Sequence, residues 1–227
     1  MLFDLVDKVY CLIYNPYKDE RYQGMVDELT RIGIIDKVKF MFFDKDESIT
    51  PSQSAYKNHC TIFKDALYHD YKRIISIEDD VRFLKNINII NEIDYIPEDS
   101  DLILFDYQLG FNLGKSFLNK ICNTEGLYYK LNINENLWFA SCNMYSQRMM
   151  IHIIMNYDVN RNIPVDHFTC YNKYLSYDPI FDLMLNRYCF CINLCIQKQF
   201  NKAVTKHANT YYDTYKSMGI NLDDYNL

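Results

Sequence analysis

The stretch Arg73-Ile74-Ile75-Ser76-Ile77-Glu78-Asp79-Asp80-Val81 decides how this chain is read. Its first five residues form a short apolar run bounded by polar residues, which predicts a buried strand. Three carboxylates follow at once. In open α/β sheets ligands bind outside the carboxyl ends of the strands, so the triplet stands where a site belongs. Adjacent carboxylates repel one another, and beside an apolar wall they are costly to ionise. A divalent cation relieves both costs, because hard oxygen ligands suit Mg²⁺ or Mn²⁺. In isolation Glu-Asp-Asp is more simply a solvated acidic turn; the preceding strand is what sets the metal reading beside it.

Upstream of this stretch, Val9–Tyr14 predicts a first strand. Asp19 to Arg31 predicts a helix with Met25, Leu29 and Ile32 on its apolar face, ended by Gly33. Val38–Phe43 predicts a second strand. Thr50-Pro51 is a helix start, a capping threonine followed by proline at the first helical position. The helix it opens carries Ala55, Tyr56, Ile62, Phe63, Ala66 and Leu67 at helical spacing, and beyond the acidic triplet Asp101–Phe105 predicts another apolar strand. Strand–helix–strand–helix–strand order predicts an α/β domain with a mainly parallel sheet. The second half is less regular. Asp106 to Asn123 predicts a loop with some helix, Tyr128–Ile133 and Leu137–Tyr145 predict strands, and Ser146 caps a helix through Met149, Met150, Ile153 and Ile154. Pro164 opens another helix, Tyr188–Ile196 predicts a late strand, and the polar end from Lys198 is expected to be peripheral.

Composition narrows the function. The 227 residues are 49% hydrophobic, enough for one sizeable core. Only 6 are glycine, and neither a G-x-x-x-x-G-K-[ST] loop nor a G-x-G-x-x-G fingerprint exists, so any nucleotide is held without a glycine cradle. A net charge of −6 argues against duplex nucleic acid as a partner, which needs a clustered basic field. No apolar run reaches the roughly 18 residues of a membrane span. Met1 to Tyr10 carries Asp4 and Asp7 and shows no signal-peptide pattern. The eight cysteines are therefore expected as reduced thiols and the protein as cytoplasmic. The surplus of Ile, Asn, Lys, Tyr and Phe points to an AT-rich coding genome, such as that of a giant virus or an AT-rich microbe.

With its flanks included, the chain resembles glycosyltransferase family 25, the lipooligosaccharide and collagen galactosyltransferases. The matching segments fall in order: Val9-Tyr10-Cys11-Leu12-Ile13 with Asp19-Glu20-Arg21, Gly33-Ile34, Ala55-Tyr56-Lys57-Asn58-His59, Ile75-Ser76-Ile77-Glu78-Asp79-Asp80-Val81, Asp101-Leu102-Ile103-Leu104, Pro164-Val165-Asp166-His167, and the late Ile196-Gln197. The resemblance covers about residues 8 to 200. Departures are Tyr14-Asn15 where the family usually has Asn-Leu, Asn58-His59 for Ser-His, and Phe105-Asp106 where a glycine often stands.

The resemblance implies a GT-A-like (Rossmann-like) fold in one domain over residues 1–200. A nucleotide-sugar half spans about 8–105 and an acceptor half about 106–200, with 201–227 as a peripheral tail. It implies a metal-dependent, inverting transfer of galactose or glucose from a UDP-sugar to a glycan, glycolipid or glycoprotein hydroxyl. Asp80 and Glu78 would hold Mn²⁺ or Mg²⁺. Glu78, Asp79, Tyr14 and Asn15 would contact the donor, and Arg21 its diphosphate. The base that takes the acceptor proton would be Asp166, with Asp106 second; Pro-Val-Asp is equally a helix cap. A nucleotide-sugar hydrolase and a non-catalytic nucleotide- or glycan-binding module are the alternatives on the same fold.

Other residues have plainer readings. His59 fits a structural histidine better than a ligand, and His167 is a weaker candidate beside Asp166. Cys189, Cys191 and Cys195 at period two suit core packing, since no C-x-x-C pair exists for zinc. Trp138, the only tryptophan, is a core ring or a sugar-stacking one. Lys198, Lys202 and Lys206 recur every four residues, as a solvated helix face or as a weak peripheral contact with an anionic membrane.

Overall fold

In the computed structural model, the described residues are 1–15, 18–44, 46–109, 113–132, 135, 137–138, 141–156, 185–198 and 208–227. Their strands are β1 (Lys8–Tyr14), β2 (Val38–Phe43), β3 (Arg73–Ile77), β4 (Val81–Phe83), β5 (Leu102–Leu104), β6 (Gln108–Leu109), β7 (Tyr128–Lys130), β8 (Leu137–Trp138), β9 (Cys142–Ser146), β10 (Arg187–Phe190) and β11 (Cys195–Gln197). Their helices are α1 (Lys18–Arg31), α2 (Pro51–Tyr68), α3 (Asn88–Asn91), α4 (Lys115–Cys122), α5 (Gln147–Met155) and α6 (Ala208–Ser217).

Seven strands form one mixed sheet in the order β2-β1-β3-β9-β5-β10-β7. β1 is parallel to β2 and β3, and β10 is parallel to β5. β9 runs antiparallel between β3 and β5, and β7 runs antiparallel to β10. Strands β1, β2, β3, β5 and β10 thus point the same way, in the mainly parallel α/β arrangement expected. Because side chains alternate across a strand, each strand feeds two cores. Val9, Cys11, Ile13, Ile75, Ile77, Ile103 and Met144 pack with Met25 and Leu29 of α1 and with Ile32 just beyond its end. Tyr10, Leu12, Ile74, Leu102, Leu104 and Tyr145 pack with α2 and α5 on the other face.

The local punctuation behaves as its chemistry requires. Gly33 follows α1 at φ +76°, the left-handed conformation that favours glycine. Thr50 Oγ1 accepts from the Gln53 N–H at 3.3 Å, and the Thr50 N–H donates to Gln53 Oε1 at 2.7 Å, a reciprocal capping box. Thr50→Ala is expected to lower the stability of the whole domain by about 1 kcal/mol in a denaturant titration, with an unchanged slope. Ser146 caps α5 by accepting from the Met149 N–H.

Two expected strands are each split. Within Leu137–Tyr145, β8 pairs with β6 in a small separate sheet, whereas β9 enters the central one. Within Tyr188–Ile196, β10 lies in the central sheet and β11 pairs with β4. Asn193 turns the chain between them, donating to Asp106 and to the Tyr107 carbonyl. Cys189 and Cys195 therefore do not share one strand face; they lie buried in opposite cores, and both are free thiols.

The segment expected to be peripheral contributes to the core. Tyr215 of α6 is completely buried, and Tyr225 belongs to the same core, with its hydroxyl donating to the Asn193 carbonyl at 2.8 Å. Asn226 donates to Glu28, whose buried carboxylate also accepts from the Phe83 N–H and from Arg31. The polar residues around these tyrosines hid that role, because two aromatic anchors leave no periodic pattern. Lys198 is half-buried; Lys202 and Lys206, like Pro164 and its helix, lie outside the described residues. Among the described residues no helix is long and apolar enough to cross a membrane.

Candidate functional site

The acidic triplet leaves the carboxyl end of β3, flanked by β1 and β9. Asp79 turns toward α1. It forms an ion pair with Arg21, and its Oδ2 accepts the Tyr14 N–H at 2.9 Å. Burial pushes the Asp79 carboxyl up, and Arg21 with the Tyr14 N–H pulls it back toward the charged form. The carboxylate thus ties the ends of β1 and β3 together. Arg21→Met is expected to cost about 3 kcal/mol of stability at pH 7, because it strands a buried carboxylate. Denaturant unfolding measures this, and a loss below about 1 kcal/mol would contradict the arrangement.

Glu78 turns the other way. Its backbone N–H donates to the Ser141 carbonyl at 2.7 Å, its Oε2 accepts from Gln197 Nε2 at 3.1 Å, and its Oε1 lies 3.5 Å from His59 Nε2. The Glu78 side chain keeps 27% exposure, whereas His59 is fully buried on α2. His59 packs against Phe63, and its Nδ1 is buried without a hydrogen-bond partner.

Asp80 is half-buried, and its Oδ1 is sealed from solvent with no hydrogen-bond partner. Its carbonyl accepts the Lys198 N–H at 2.6 Å, which extends the β4–β11 pairing to the triplet. Burial first, then the charges of Glu78 and Asp79, drives the Asp80 carboxyl well above its ordinary range. A buried, unpaired oxygen beside two further carboxylates is what a cation would relieve.

Asp106 sits beneath this site. It is completely buried and accepts from Ser141 Oγ, from Asn193 Nδ2 at 3.1 Å, and from the Tyr215 hydroxyl at 2.9 Å to each oxygen. Burial raises its carboxyl to about 7, against the pull of these donors. The placement of Asp106 as a second base does not hold in this arrangement: the carboxylate is enclosed by its donors and has no open face for an acceptor hydroxyl. It is an internal anchor.

The other expected residues separate. Tyr14 reaches the triplet through its backbone, Arg21 through Asp79, and Asn15 donates to Asp44 at 2.7 Å. Arg21, expected at the donor diphosphate, is paired with Asp79 in this structure. Asp166 and His167 lie outside the described residues, as does the side chain of Trp138. Ser141, Asn193 and Tyr215, which build the layer beneath the triplet, carry no motif. Gln197 alone had a cue, its late place in the family pattern.

Among the described residues no group of three or more His, Cys, Asp and Glu side chains could by itself hold a metal ion. With Asp79 committed to Arg21, Glu78 and Asp80 offer two carboxylates. That set fits a hard cation which completes its shell with water and phosphate oxygens, the usual habit of Mg²⁺ at nucleotide sites, and the unpartnered Asp80 oxygen supports the fit. A cavity of about 660 Å³ lies at the opposite pole, at the amino ends of the strands, lined by Arg73, Asp101 and Arg148 among others. Its buried carboxylate, Asp101, already accepts from Ser146, Arg148 and the Asn186 N–H, and so serves as a pin between strands.

No family model matches the chain, and no curated protein does. Among solved structures it is similar to a glycosyltransferase involved in the glycosylation of the major capsid of PBCV-1, at 11% identity and a TM-score of 0.38. That match covers 66% of this chain and 65% of the other, just under two thirds of its length. It is also similar to UDP-glucose pyrophosphorylase complexed with UDP-glucose, at 10% identity and a TM-score of 0.39, over 91% of this chain and 81% of that one. The galactosyltransferase LgtC in complex with donor and acceptor sugar analogs matches at 11% identity and a TM-score of 0.36, over 92% and 95% of the two chains.

Proposed function

We propose that this chain is a cation-dependent, inverting glycosyltransferase that moves a hexose, galactose or glucose, from a UDP-sugar to a hydroxyl of a glycan, glycolipid or glycoprotein. The observation that carries the reading is the pair Glu78 and Asp80 at the carboxyl end of β3, with a buried Asp80 oxygen that has no partner. Glu78 and Asp80 would hold Mn²⁺ or Mg²⁺ there, and the cation would supply positive charge to the donor diphosphate as the nucleotide leaves. Asp79, held by Arg21 of α1 and by the Tyr14 N–H, keeps the ends of β1 and β3 together beside this pair, which supports a rigid donor site. Asp166 is the residue we assign to take the acceptor proton.

The test is UDP release from a panel of UDP-hexoses with Mn²⁺, with and without glycan acceptors. Release that rises with acceptor and stops on chelation is the expected result. Release indifferent to every acceptor indicates a nucleotide-sugar hydrolase. Donor binding without any release indicates a binding module and overturns the enzymatic reading.

A further inference from the structure

Gln197 joins the triplet to the buried layer below it. It is more than nine-tenths buried, stands opposite Val81 in the β4–β11 pairing, and donates from Nε2 to Glu78 Oε2 at 3.1 Å. Its own backbone N–H donates to the Tyr215 hydroxyl at 3.2 Å, and that hydroxyl donates to Asp106. The main chain of Glu78 reaches the same anchor by a second route, through the Ser141 carbonyl and the Ser141 hydroxyl on Asp106. Two separate paths therefore run from one fully buried carboxylate to the backbone and the side chain of Glu78. Gln197 Oε1 is buried without a donor, a cost that an apolar side chain of the same length would avoid. Holding Glu78 offsets that cost.

We propose that Gln197 is a positioning residue for the Glu78 carboxylate, and that helix α6, through Tyr215, holds Gln197 in place. The C-terminal segment is then part of the site's framework. The inference deepens the cation-dependent reading above and rests on it for its functional consequence. An outer partner that orients a ligating carboxylate typically changes cation affinity 10- to 100-fold when removed.

The test uses the full chain with Gln197→Met, which keeps length and apolar volume. Mn²⁺ binding is measured by calorimetry, and the Gln197 side-chain NH₂ signals are followed by ¹⁵N NMR, assigned by their loss in the variant. The expected result is an Mn²⁺ affinity lowered roughly 10-fold or more, with a melting temperature close to wild type. The Gln197 NH₂ signals are also expected to move in Glu78→Ala and in Tyr215→Phe. Wild-type Mn²⁺ affinity in Gln197→Met overturns the proposal, and NH₂ signals unmoved by Tyr215→Phe overturn the part assigned to α6. If the wild-type chain binds no Mn²⁺, the functional reading falls. The positioning claim is then decided by the NH₂ signals alone: movement in Glu78→Ala upholds it, and no movement overturns it.

Discussion

Asp80→Asn is expected to lower UDP release from a UDP-hexose by about 100- to 1,000-fold, the loss typical when a charge-stabilising group is removed from a transition state. The substitution keeps the side chain's size and removes its charge. In the folded protein that charge is expensive, because the Asp80 carboxylate is desolvated and faces Glu78 and Asp79. The same variant is therefore expected to be at least as stable as wild type in the absence of divalent cation. Loss of activity with retained stability separates a ligand from a structural acid. Release within threefold of wild type at saturating Mn²⁺ would remove Asp80 from the cation site. A large drop in melting temperature would instead make it structural.

The second large effect is the share of the pH dependence of stability that Asp106 contributes. Its carboxyl is raised from an ordinary 3.8 to about 7 by complete burial. Between these values the folded chain keeps a proton that the unfolded chain has released. Stability then falls as pH rises, by about 1.4 kcal/mol per pH unit, and the loss is complete above about 7. Across pH 4 to 7 the Asp106 contribution amounts to roughly 4 kcal/mol at most, the pull of donors such as Ser141 and Tyr215 being already included in the raised value. Asp106→Asn imitates the protonated acid and is expected to flatten this slope. Urea titrations of both proteins at pH 4.5, 6 and 7.5 measure it. Parallel pH profiles for variant and wild type would show that Asp106 is not the titrating group.

The fold was legible because its signals are local. The apolar runs of β1, β2 and β3, the periodic face of α1, the Thr50-Pro51 start of α2 and the Ser146 cap of α5 are each readable within a few residues. The β8–β9 and β10–β11 breaks were not. Apolar residues run through both stretches without a break in composition, and the polar residues that mark the breaks, Ser141 and Asn193, bond to Asp106, more than thirty residues away in sequence for the one and more than eighty for the other.

The site divides in the same way. Residue order alone places three carboxylates after a buried strand at the ligand-binding end of an α/β sheet, in a chain too poor in glycine to cradle a phosphate with its backbone. The surroundings of each carboxylate come from packing. Asp79 is neutralised by Arg21 from α1, Glu78 is held by Gln197 from 119 residues away, and Asp80 keeps an oxygen without a partner. Packing also turned Asp106 from a candidate base into an anchor and drew the C-terminal Tyr215 into the core. The reason is that periodicity and capping are short-range, whereas the charge and reach of a carboxylate depend on which distant donors the packing brings against it.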